Sequence, residues 1–376
     1  MNDLQPIKEK RHKRCCYHFA SLLGFIALCF LYGTSYGLAI LGLRNYPGAT
    51  LIALRMIFGF GSTLIITVFR VIFEQKTRLD IIDSLEHRKM DILKSAFGGI
   101  MYYGFPHSLI GVAQRSIPSN TVHIAQSCVP LFAFIFANFM LDDEKFSFKR
   151  FYPQVLALIG TVLTAIPTAD SGYADGVNII DFVYLTISIA SFGFGSVYMK
   201  SHLSTCEPTL CGFFQMLGSA IFSIIFAVCY DGPNKFSNSI KQSTIKSIVW
   251  PLILGAVHTC GCTYVYLWTV KRLGAVISSF SNFGQIVIGI LIGVFFFNEW
   301  GSYVSKDYIM SACGLVVLTL AIVCGLLGDR KKDKDTESTF SLLSEQKENL
   351  IKPDYEKEEM KKPLLPGIYL LNFMII

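Results

Sequence analysis

Apolar residues in this chain fall into long blocks, with polar residues gathered between them. The blocks run roughly 17–43, 48–70, 92–113, 121–141, 153–168, 180–199, 208–229, 247–270, 275–297 and 307–327. About 20 apolar residues in a helix cross the hydrocarbon layer of a bilayer. Inside lipid the backbone must satisfy its own hydrogen bonds, and a helix does so. The pattern predicts an all-α polytopic membrane protein with ten transmembrane helices. The fifth block is short and begins near Pro153. The first is too long for a signal-peptide core, and no small-residue cleavage site follows it, so it reads as a retained helix.

The blocks repeat. The stretch "IAQSCVPLFAFIFANFMLDDE", Ile124 to Glu144, finds its counterpart in "SFSNFGQIVIGILIGVFFFNE", Ser279 to Glu299, the two aligning at an offset of about 156 residues. At that offset Arg115 falls on Lys271, Gln126 on Asn282 and Asp143 on Glu299. At an offset of 160, Tyr32-Gly33 falls on Phe192-Gly193 and Arg55 on Gln215. The chain therefore divides into a basic N-terminal segment 1–16, a first five-helix repeat 17–168, a polar linker 169–179, a second five-helix repeat 180–327 and a charged tail 328–376. An odd number of crossings per repeat inserts the second copy upside down, giving the 5+5 inverted-topology repeat common among secondary transporters. Asp143 and Glu299 read chiefly as boundary residues that end corresponding helices.

Composition agrees with a membrane home. The chain has 376 residues, 52% of them hydrophobic and only 16% charged, with a mean hydropathy of +0.48. A soluble chain would carry about 25% charged residues. The net charge of +6 is largely a topology signal. Lys8, Lys10, Arg11, Lys13, Arg14, the 71–91 loop, Lys145, Lys149, Arg150, Lys271, Arg272 and the 330–334 cluster share one side in the ten-helix arrangement. That bias predicts both termini in the cytosol. It offers no folded basic face for nucleic acid. Plasma membrane and endomembrane fit equally. Cys29, Cys128, Cys229, Cys260, Cys262, Cys313 and Cys324 sit inside apolar blocks and read as packing residues, without metal-site spacing. Cys15-Cys16 follow the basic run at the membrane edge and suit palmitoylation. No cofactor and no metal are expected.

Several motifs together resemble the drug/metabolite transporter superfamily, in particular its EamA-like branch: "LYGTSYG" and "ALRMIFGF" in the first two blocks, "ALIGTVLTAIP" in the fifth, "VYLWTVKRLGAVISSF" across the eighth and ninth, and "FFFNE" closing the ninth. The resemblance spans about 17–327. It implies ten helices, cytosolic termini and alternating access around a central cavity lined by the first, third, fourth, sixth, eighth and ninth helices. It implies a small-molecule substrate, the lipid bilayer as surroundings, and no enzymatic activity. No H-E-x-x-H and no paired acid stands in any block.

Polar side chains inside an apolar block are expensive and face a cavity or a partner helix. His123, Gln126 and Ser127 share one helical face of the fourth block. Ser278, Ser281, Asn282 and Gln285 share one face of the ninth. These two stripes are the first candidates for a substrate site. Tyr36, Tyr102 and Tyr198 are aromatic candidates for stacking or cation–π contact. No Asp or Glu stands mid-block, so proton coupling would have to run through His107, His123 or His258, whose ordinary titration range suits it. The third, fourth, eighth and ninth blocks carry no central Lys or Arg. Lys200 ends the sixth, and Arg55 lies in the second. On that charge count a neutral, zwitterionic or weakly cationic metabolite is favoured. The alternatives are a nucleotide-sugar or sugar-phosphate exchanger and a receptor or scaffold that transports nothing. The oligomeric state leaves no mark in the sequence. The charged tail reads as disordered.

Overall fold

A computed structural model of the chain describes residues 5–117, 119–141, 148–170, 179–203, 206, 208–273, 281–297, 305–321 and 323–324. Ser278, Asp143, Glu299, the linker 171–178 and the tail from 325 lie outside the described residues.

Every regular element among the described residues is helical. In chain order they are α1 (Gln5–Leu43), α2 (Gly48–Phe73), α3 (Gln75–His87), α4 (Lys89–Gly99), α5 (Phe105–Ala113), α6 (Ser119–Gln126), α7 (Val129–Met140) and α8 (Phe148–Asp170). The second half supplies α9 (Ile179–Leu203), α10 (Pro208–Tyr230), α11 (Pro233–Lys241), α12 (Ile245–Gly255), α13 (Cys262–Leu273), α14 (Ser281–Phe297) and α15 over 305–321. Among the described residues six stretches are long and apolar enough to cross a membrane: Phe19–Leu43, Gly48–Phe73, Thr121–Met140, Ile179–Leu203, Pro208–Tyr230 and Ile245–Tyr266. Shorter or more polar helices occupy the other predicted crossings. Large apolar side chains cover the outside of the bundle, among them Phe139 at 80% exposed and Ile65 at 71%. Water would penalise that surface, whereas lipid accepts it.

The two repeats are visible in the packing. α1 packs on α14, and its counterpart α9 packs on α7. α2 packs on α12, and its counterpart α10 packs on α4. The two second helices, α2 and α10, meet each other at the centre. Glycines mark the correspondence atom by atom. A Cβ on Gly33 would strike Gln285 O and Ile288, and one on Gly193 would strike Phe132 and Ala133 N. Ile288 is Phe132 advanced by 156 residues. A Cβ on Gly99 would run into the backbone of Gln215, and one on Gly255 into that of Arg55 and Gly59. Small residues let helix backbones close to this distance.

Both repeats also break their third helix at the same place. A π-helical turn, Ile100–Gly104, separates α4 from α5, and another, Ala256–Gly261, separates α12 from α13. Their starts are 156 residues apart. A π turn inserts one extra residue and re-aims the side chains that follow, which is why such turns gather at functional sites.

Candidate functional site

The two π turns face each other across the middle of the bundle, and the space between them is the central cavity. It is lined by Tyr32, Ser35, Tyr36, Arg55, Tyr102, Tyr103, His107, Gln126, Val129, Phe192, His258, Thr259, Cys262, Asn282 and Gln285. In this conformation it is narrow, with room for only about three water molecules. The first π turn contributes Tyr102 and Tyr103, and the second contributes His258 and Thr259, at corresponding positions.

Arg55 is the cation of this cavity. It sits in the eighth position of α2 and is 2% exposed. Its Nε–H donates to Thr259 Oγ1 at 2.8 Å. The Thr259 hydroxyl in turn donates to Leu254 O at 2.9 Å, five residues back, a bond the π turn makes available. Among the described residues no Asp or Glu lines the cavity, and no carboxylate forms a salt bridge with Arg55. A charge desolvated at this depth is costly unless paired or solvated. The arrangement holds a guanidinium in place beside a polar, aromatic space.

The other lining groups are oriented by bonds to fixed partners. Gln126 Nε2 donates to the Tyr36 hydroxyl at 2.9 Å, joining the first and fourth crossings. His107 Nδ1–H donates to Tyr103 O at 2.9 Å, so a neutral His107 keeps Nε2 as an acceptor. His258 Nδ1 lies 3.3 Å from Ile253 O, and its Nε2 lies 2.9 Å from the Thr34 hydroxyl, which also stands 2.9 Å from Phe30 O. The Tyr103 hydroxyl is held at 2.9 Å from that of Thr263. Tyr102 stands edge-on to Tyr103 and Phe192, with centroids 4.7 and 5.6 Å apart.

Of the residues singled out in the sequence, Gln126, Asn282, Gln285, Tyr36, Tyr102, His107 and His258 come together around this cavity. His123 lies just behind the lining. Its ring stands edge-on to Tyr36 at 4.9 Å and fills the space left by Gly289 of α14. Ser127 is turned away: α6 ends at Gln126, and the Ser127 hydroxyl donates to Ile124 O at 2.6 Å. Ser281 is buried but outside the lining. Tyr198 stacks on His202, centroids 4.4 Å apart, well along α9 from the cavity. Tyr32 and Tyr103, the aromatic neighbours of Tyr36 and Tyr102 in the sequence, also join the lining, and Thr259 joins it from a position that helical spacing did not single out. Arg55 changes the picture most. The second helix adds a cation to a cavity expected to be walled by six other helices and free of positive charge.

A second open space lies at the end of the bundle where α1 finishes. It is bounded by Ile40, Leu43, Arg44, Tyr46, Pro47, Gly48, Gln114, Arg115, Tyr230, Asp231 and Lys235.

The model of the EamA-like transporter family matches the chain twice, over residues 19–166 and 181–326. The two matches coincide with the two halves related by packing. A protein of known crystal structure aligns with 83% of this chain and 98% of its own, at a TM-score of 0.54 and 16% identity. That identity bears on fold alone. No curated protein matches the chain.

Proposed function

The chain belongs to the EamA-like transporter family, with an internal duplication, and is thus a membrane transporter of the drug/metabolite superfamily; from this premise we propose that it is a secondary carrier of a small organic anion, working by alternating access. One observation carries the reading. Arg55 presents a buried positive charge to the central cavity, and among the described residues no carboxylate lines that cavity to answer it. A substrate carboxylate, sulfonate or phosphate would supply the missing partner through charge-assisted hydrogen bonds. A cation would meet Arg55 in a low-dielectric space, which reverses the preference drawn from the sequence.

The rest of the lining would complete recognition. Tyr32, Tyr36, Tyr102 and Tyr103 offer hydroxyls and ring faces, and Gln126, Asn282 and Gln285 offer amides. His107 Nε2 suits a hydroxyl or N–H donor on the substrate. We assign any proton coupling to His107 or His258, because both line the cavity beside Arg55 whereas His123 lies behind Tyr36. Alternation follows from the duplication: corresponding helix pairs, α1 with α14 and α9 with α7, would open the cavity in turn to either side. The charge bias of the connecting segments supports a cytosolic location for both termini.

The test is ligand stabilisation of the purified protein by a panel of carboxylates, phosphates, sulfonates, neutral sugars, nucleosides and organic cations. A ligand that binds only the folded state raises its stability by about 2.7 kcal/mol at a hundredfold excess over Kd. Anions should stabilise the wild type and lose that effect in Arg55→Gln. Stabilisation by cations alone, or an anion effect that survives Arg55→Gln, would overturn the reading. Counterflow of the same compound in liposomes then establishes transport.

A further inference from the structure

The open space at the end of α1 is built unlike the rest of the surface. Three cations face it: Arg44 just after α1, Arg115 just after α5, and Lys235 in α11. Among the described residues one carboxylate, Asp231, lines it, with Asp181 nearby against Ser116, and the oxygens of Asp231 are already engaged. Oδ2 accepts from both the N–H and the hydroxyl of Thr50 at 2.8 Å, in the first turn of α2, and Oδ1 accepts from Arg115 at 2.7 Å. Among the described residues neither Arg44 nor Lys235 forms a salt bridge. The space therefore carries an excess of positive charge, which raises the local concentration of an anion.

It also lies directly over the central cavity. Gly48 borders the open space, and Arg55 lines the cavity seven residues further along the same helix, about 10 Å away along its axis. On α1, Ile40 borders the space and Tyr36, one turn below, lines the cavity. Gln114 lines the floor of the space and donates to Tyr36 O at 3.5 Å. One turn of α1, held by Gln114 above and Gln126 below, is the partition between the two compartments.

We propose that this vestibule is a loading site at which a soluble anion gathers, held by Arg44, Lys235 and Arg115, before it passes Tyr36 to reach Arg55. The proposal rests on the anionic reading of the cavity, yet it has its own test, which needs no substrate. A cysteine at Ile40 reports the local potential. Its reaction with the anionic reagent 2-sulfonatoethyl methanethiosulfonate is compared with that of the cationic 2-(trimethylammonium)ethyl analogue. Peptide mass spectrometry separates position 40 from the native cysteines, and Leu43→Cys serves as a second reporter. In phosphatidylcholine vesicles the anionic reagent should be favoured about tenfold over its ratio at a free thiol. The exposed-residue double variant Arg44→Gln/Lys235→Gln, or high salt, should abolish the preference. A ratio equal to that of the free thiol would overturn the proposal. So would a preference that phosphatidylglycerol in the vesicles removes, because the vestibule would then hold a lipid headgroup. A failure at position 40 with intact anion stabilisation through Arg55 would sink the vestibule alone. Loss of the Arg55 effect with the preference at position 40 intact would instead sink the reading of the cavity.

Discussion

Arg55 and Gln215 stand at corresponding places in the two repeats, and only Arg55 reaches the central cavity. Each lies under a glycine of the partner helix, Arg55 against Gly255 and Gln215 against Gly99. Gln215 turns instead to sulfur, its Nε2 donating to Cys211 Sγ at 3.0 Å and to Met199 Sδ at 3.3 Å. The duplicated frame thus carries an asymmetric charge, and one end of a bound substrate should be anchored by the first repeat. Arg55→Leu is expected to abolish stabilisation by anions, whereas Gln215→Leu should keep it. Differential scanning fluorimetry with the panel of anions distinguishes them. Equal losses in both variants would show that the anion effect reflects general stability.

The glycine contacts predict a local effect. Ala at Gly99 would press a methyl group into the backbone of Gln215, which cannot swing aside as a side chain can. Overpacking of this kind costs about 1–3 kcal/mol. Gly61 has nothing within 4 Å of a Cβ, so Gly61→Ala should stabilise α2 by roughly 0.5–1 kcal/mol through helix propensity. Reversible unfolding in detergent should move the two variants in opposite directions.

Much of this was readable in advance, and the reasons are physical. A buried amide inside an apolar helix stands out, so Gln126, Asn282 and Gln285 were visible as polar stripes. The repeat was visible because corresponding helices keep the same spacing of small and polar residues. Arg55 was seen but not placed. A lone arginine on an otherwise apolar helix carries no periodic pattern that gives its direction. Its inward direction depends on the π turn at Ala256–Gly261, which helical periodicity does not reveal. Ser127 was assigned to the wrong surroundings because α6 stops one residue earlier, and its hydroxyl returns to the backbone. Tyr198 shares α9 with residues near the cavity, but stacking on His202 carries it toward the helix end.

The Tyr36–Gln126 bond links the first and fourth crossings across the partition. A double-mutant cycle of Tyr36→Phe and Gln126→Leu should give a coupling of about 0.5–1.5 kcal/mol in stability. If the partition moves during transport, Tyr36→Phe should also raise the reactivity of a cysteine at Asn282, on the far side of Tyr36, toward reagent from the vestibule. A zero coupling would separate the two residues functionally.

Glu74, just beyond α2, supplies a pH effect with a definite sign. Hydrogen bonds from Arg70, then Thr77, hold its carboxyl below the ordinary 4.5, against a smaller opposing effect of burial. A lowered folded value means stability that is present above 4.5 and lost as pH falls through the folded value below it. The pair is partly exposed, so the contribution is at most about 1 kcal/mol. The unfolding midpoint of the wild type should fall further than that of Glu74→Gln between pH 6 and pH 3.5. Parallel curves would assign the acid sensitivity to other carboxylates.

Asp231 makes the sharpest separation between a helix cap and an ion pair. Gly232, at φ 88°, turns the chain immediately after it, so that the end of α10 meets the start of α2. The carboxylate side chain is 2% exposed, whereas that of Arg115 is 45% exposed. Water can replace Asp231 as the partner of Arg115, but it cannot easily replace it at the buried Thr50 N–H. Loss of a cap costs about 0.5–2 kcal/mol, and an exposed ion pair contributes about 0.2–1 kcal/mol. Asp231→Ala should therefore destabilise most. Asp231→Asn, which keeps one acceptor oxygen, should destabilise less, and Arg115→Gln least. Hydrogen exchange at the first turn of α2 should rise in the same order. If Arg115→Gln matched Asp231→Ala in both measurements, the ion pair would be what holds this end of the bundle, and the cap would be secondary.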